Sequence, residues 1–70
     1  MTATELRYVL ESLGLTQAEA ARILGIDRRT IRRYLAGPSE PSGRAIPPST
    51  AKLLRLALAG KIRLADIASA

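Results

Sequence analysis

"TQAEAARILGIDRRTIRRYLAG", residues 16–37, uses one helix grammar twice in succession. Thr16 followed by Glu19 is a capping-box pair, in which hydroxyl and carboxylate satisfy backbone N–H groups at a helix start. Leu15 stands before the cap, placed to staple onto Ala20. Gly25 ends this first segment, since glycine takes the left-handed conformation that closes a helix. Ile26 intervenes, and Asp27 then caps a second helix whose N-terminal dipole its carboxylate also favours. Gly37 and Pro38 stop that helix.

The second helix carries an unusual charge density. At about 100° per residue, Arg28, Arg32, Arg29 and Arg33 fall within an arc of about 140°, while Ile31, Tyr34 and Leu35 lie on the other side. One face is thus expected to pack inward while four guanidinium groups point outward together. Asp27 sits at the helix start and the next acid, Glu40, lies past its end, so nothing acidic on the face balances it. Like charges at i,i+4 cost a helix roughly 0.2–0.5 kcal/mol per pair, a cost a merely solvated surface avoids by alternating signs. A polyanionic partner accounts for the face. The DNA major groove admits one helix, and arginine donates two parallel bonds to guanine O6 and N7.

Outward from this stretch the chain stays helical. In residues 2–14 Leu6, Val9, Leu10 and Leu13 recur at helical spacing, with Thr2 and Glu5 fitting a capping box and Gly14 as the stop. Residues 37–48, "GPSEPSGRAIPP", hold all four prolines and form a connecting loop, long for so small a domain. Residues 48–60 open on proline and serine and end at glycine, and the tail adds a short helix near Leu64–Ala68. The expectation is one all-α domain over residues 1–70 with four to five short helices.

Composition narrows the function. The 70 residues include no cysteine and no histidine, and only two aromatics, Tyr8 and Tyr34. Disulfides, thiolate or imidazole metal sites and the commonest catalytic base are therefore absent. The acids Glu5, Glu11, Glu19, Asp27, Glu40 and Asp66 read as caps and surface residues, and no glycine-rich phosphate loop occurs. Neither catalysis nor a metal, cofactor or small-molecule ligand is expected. The net charge of +5, with nine of eleven basic residues arginine, favours nucleic acid first and anionic membrane second. The basic helix lacks the outward Trp, Phe or Leu of an interfacial helix, which argues against the membrane. No apolar run approaches the ~20 residues of a membrane span, and no signal-peptide pattern is present; a cytoplasmic location is expected.

Residues 16–37 closely resemble the helix-turn-helix of the Cro and phage-repressor (lambda-repressor-like) type. Gln17 matches the position just inside the motif's first helix, Ala21 the small residue where the two helices cross, and Gly25 the turn glycine. Ile26 follows as the apolar turn residue, Ile31 and Tyr34 anchor the second helix, and "YLAG" stands for the family's aromatic-x-x-Gly ending. Each match has a physical reason: Ala21 leaves room for the crossing helix, Gly25 takes positive φ, and Ala20, Leu24, Ile26 and Ile31 form an apolar seam. More loosely, residues 34–58 resemble the small anti-CRISPR-associated repressors of phages and mobile elements. The resemblance implies a motif in helices two and three, a bacterial or phage-encoded, nucleoid-associated regulator, and roles by position. Gln17 would bond a phosphate or brace the second helix. Arg28, Arg29 and Arg33 would face base edges, Arg29 and Arg33 foremost, with Arg32 reaching bases or backbone. From the loop, Arg44 either reaches a phosphate or the minor groove, or is simply solvated. The loop is longer than the turn typical members use.

The C-terminal third is more apolar than a small monomer comfortably buries. Leu53, Leu54, Leu56, Ala57 and Leu58 cover about 200° of the wheel, roughly twice what one-sided packing needs. A homodimer through Leu53, Leu56, Leu58 and Ile62 explains the surplus and fits two half-sites about 34 Å apart in an inverted-repeat operator on double-stranded DNA. The sequence thus predicts a dimeric, sequence-specific transcriptional repressor. The rival is an antitoxin-like or other interaction module whose C-terminal helices grip a different protein.

Overall fold

The structure, a computed structural model, describes residues 1–69; the last position of the C-terminal segment expected over residues 48–70 lies outside it. Five helices follow one another: α1 (Ala3–Leu13), α2 (Gln17–Leu24), α3 (Arg28–Ala36), α4 (Pro48–Leu58) and α5 (Leu64–Ala68). No strand occurs among the described residues. The all-α expectation holds, as does the short last helix.

Caps and stops explain the boundaries. At α2 the Thr16 hydroxyl accepts the Glu19 N–H at 3.1 Å and the Glu19 carboxylate accepts the Thr16 N–H at 3.0 Å, so the reciprocal box is complete. At α1 only half forms. Thr2 Oγ1 accepts the Glu5 N–H at 3.0 Å, but the Glu5 carboxylate turns to Arg55 of α4, taking Nε and Nη2 at 3.0 Å each. Two charge-assisted bonds from a planar guanidinium outcompete one from a neutral amide; the pair also ties the two helices together. Gly25, at φ 71°, closes α2, and the Ile26 N–H reaches back to the Ala21 carbonyl at 3.0 Å, the double return of a Schellman ending. Pro48 begins α4 at the position where a missing N–H costs nothing.

Packing places α3 at the centre. It lies against both α1 and α2, while α4 packs on α1 and α5 on α2. Leu6, Val9 and Leu10 of α1 meet Ala20 and Ala21 of α2 and Ile31, Tyr34 and Leu35 of α3 in one core, completed by Ala51 and Leu54 of α4. Ile31 has no exposed surface. Tyr34 is buried, so it is a core residue and presents no ring for stacking. Leu13, Leu15, Leu24 and Ile26 pack around the edge.

The long loop is more than a connection. Ile46 is buried in the core. Within the loop, the Glu40 N–H bonds the Gly37 carbonyl at 3.2 Å and the Gly43 N–H bonds the Glu40 carbonyl at 2.9 Å. The Arg44 N–H then bonds the Arg33 carbonyl at 3.1 Å, so the chain folds back onto the end of α3.

Candidate nucleic-acid interface

The position of α3 is set from both ends. At its start the Asp27 carboxylate accepts the Thr30 N–H at 2.7 Å and the Thr30 hydroxyl at 2.8 Å. These bonds, the backbone one foremost, hold the Asp27 carboxyl below its usual range, with a smaller attraction from Arg29 and Arg33. The carboxylate is therefore engaged in capping. At the far end Arg7 of α1 donates from Nη2 to the Leu35 carbonyl at 3.2 Å, filling one of the acceptors a helix terminus leaves open. The contact has no local signal in the sequence: nothing near Arg7 in the chain points to a partner 28 positions away.

With Ile31, Tyr34 and Leu35 inward, Arg28, Arg29 and Arg32 are exposed. Arg33 departs from the expectation that all four point outward together: it is half-buried. It stands at the edge of the arginine arc nearest Tyr34, and its carbonyl takes both the Gly37 and the Arg44 N–H groups, at 3.3 and 3.1 Å, so the loop comes down beside it. None of the four arginines forms an ion pair among the described residues; the two pairs found, Arg55–Glu5 and Arg63–Asp66, are off this helix. Three free guanidinium groups and a fourth at their edge thus share one short, rigidly seated helix.

The other residues singled out lie where their elements put them. Gln17 is exposed as the first residue of α2. Arg44 is exposed, with its backbone tethered to α3. Leu53 and Leu58 are exposed at 39% and 38%, large values for leucine, whereas Leu56 and Ile62 are half-buried. Leu53 and Ile62 line, with Leu24 and Ile67, a groove of about 400 Å³ between α2, α4 and α5. Leu58 and Leu56 are outside its lining, so the four leucine and isoleucine positions do not share a single recess. No helix among the described residues is long and apolar enough to cross a membrane.

Comparison with known proteins agrees with this geometry. The profile of the family described as helix-turn-helix matches residues 6–67, from the first core leucine of α1 to the buried Ile67 of α5. No curated protein and no solved structure gave a match. The crossing of α2 and α3 through a glycine turn, seated on α1 and matched over nearly the whole chain, leads to one conclusion: the chain belongs to the helix-turn-helix family of Cro and phage-repressor type, and is a DNA-binding transcription regulator.

Proposed function

We propose that the protein is a dimeric, sequence-specific repressor that reads an inverted-repeat operator by laying α3 in the major groove. The observation that carries this reading is an arginine face with no ion pair among the described residues, on a helix whose opposite face packs into the core. Arg28, Arg29 and Arg33 donate to base edges, and Arg32 serves bases or backbone. Bidentate bonds to guanine supply roughly 1–3 kcal/mol of discrimination each, while contacts to phosphate add salt-sensitive affinity without sequence information. Gln17 at the start of α2 and Arg44 in the loop contact phosphates on either side. The exposed Leu53 and Leu58, with Leu56 and Ile62, form the two-fold interface that sets the half-site spacing.

Selection from a random duplex library at about physiological salt tests the reading, because non-specific binding is weak there. Enrichment of an inverted repeat with guanines in each half-site is expected. A pool that stays random, with binding that collapses as salt rises, would show that the arginines hold phosphates alone. The groove between α2, α4 and α5 favours a second reading, in which a different protein docks on the C-terminal helices. A chain that sediments as a monomer at tens of micromolar points there.

A further inference from the structure

Gly43 has a geometry that the loop alone does not require. It is not among the glycines with positive φ, so conformational freedom does not explain it. Space does: a Cβ at this position would overlap the carbonyl group of Gly37. Gly37 is itself buried, with φ 85° and Ala3 directly against it. The two glycine backbones close a clasp over residues 37–43, stitched by the Glu40–Gly37 and Gly43–Glu40 bonds. Immediately after the clasp come the Arg44 N–H bond to Arg33 and, two residues on, the buried Ile46. Both ends of the segment are thereby fixed to the recognition helix and the core. Of the two charged side chains between them, Glu40 and Arg44, both are exposed with no ion-pair partner among the described residues, and Arg44 is the cation.

We propose that Gly43 is a positioning residue for DNA binding: its contact with Gly37 holds the loop closed so that Arg44 meets a backbone phosphate flanking the groove that α3 enters. This inference rests on the function proposed above. The closed loop is formed before DNA arrives, so ordering it costs nothing on binding. A cation fixed this way contributes one released counterion per subunit.

The test measures salt dependence on the whole chain, using a duplex selected for this protein and a scrambled duplex of the same composition. In Arg44→Ala the slope of log affinity against log salt becomes shallower by about one per subunit, and the ranking of operator variants is unchanged. Arg44→Lys restores the slope. Gly43→Ala shows the same shallower slope, and the double variant Gly43→Ala with Arg44→Ala is no weaker than either alone. A folded Gly43→Ala protein with the wild-type slope, or single losses that multiply in the double variant, overturns the proposal. So does an unchanged slope in Arg44→Ala. Nitrogen-15 relaxation of the wild-type protein gives an answer that needs no variant. The Gly43 and Arg44 amides should show order parameters of about 0.85, and values under about 0.6 overturn the clasp. If wild-type protein bound both duplexes equally, the operator reading would fail, whereas an intact preference with an unmoved slope in Gly43→Ala would reject the role of Gly43 and leave that reading standing.

Discussion

Arg29 and Arg33 have different surroundings although they were expected to share one role. Arg29 is exposed on the open part of α3, so Arg29→Ala should leave the fold intact and remove only the base contact proposed for it. Specific binding should weaken by about 1–3 kcal/mol per half-site and tolerance should widen at one base position, measured by fluorescence anisotropy on operator variants. Arg33 is half-buried beside the loop, so Arg33→Ala should lower both affinity and thermal stability. Unchanged operator affinity in both folded variants would contradict their role in readout. Ile31 is the buried counterpart of this face. With no exposed surface, Ile31→Ala leaves a cavity where α1, α2 and α3 meet, and urea unfolding should show a loss of roughly 2–5 kcal/mol. A loss below half a kilocalorie would mean the helices close up around the gap.

Three elements are tied down by carboxylates, and this sets how the fold responds to acid. Arg55 foremost holds the Glu5 carboxyl below its usual range, the Thr16 backbone N–H does so for Glu19, and the Thr30 N–H for Asp27. A carboxyl depressed in the folded state contributes stability that is complete above its unfolded value and is lost as pH falls through the folded one. The chain has no histidine, so no side chain of that type titrates between pH 5 and 8. The urea midpoint should therefore stay level from pH 7 to 5 and fall below about pH 4.5. A midpoint at pH 3 equal to that at pH 7 would show that these caps and the α1–α4 tie add nothing. The unit from α2 through the turn to α3 was legible in the sequence because its determinants are local: a capping residue, a glycine and an apolar repeat each act within four residues. The ties between elements were not. Arg7 reaches Leu35 across 28 positions and Arg55 reaches Glu5 across 50, and no short-range pattern encodes such pairs. Ile46 was hidden among prolines and polar residues, where apolar periodicity has nothing to repeat against. The return of the loop to the Arg33 carbonyl was not legible either, because it brings Gly43 against Gly37 across six positions, which a helical wheel does not represent.

For the whole molecule, the arginine face and the exposed leucines lie on different helices. Four arginines without ion pairs among the described residues gather on α3, while Leu53 and Leu58 are exposed on α4, with Lys52 and Arg55 beside them. A two-fold dimer through α4 would leave both α3 faces free for one duplex. Leu58→Glu and Leu53→Glu should each give monomers in sedimentation velocity with sharply weaker operator binding, and dimers that persist in both would move the interface elsewhere. Both positions are already over a third exposed, so the fold should survive the change. Whether α3 reads bases or only holds phosphates is decided by 7-deazaguanine substitution, which removes the N7 acceptor while leaving base pairing and phosphates in place. Each half-site guanine is replaced in turn and affinity is measured for wild-type protein and for Arg29→Ala. One or two substitutions per half-site should weaken the wild type by about 1–3 kcal/mol, and one of them should have no further effect on Arg29→Ala. If every guanine can be substituted without loss while binding keeps its steep dependence on salt, α3 is an electrostatic anchor and sequence is read elsewhere.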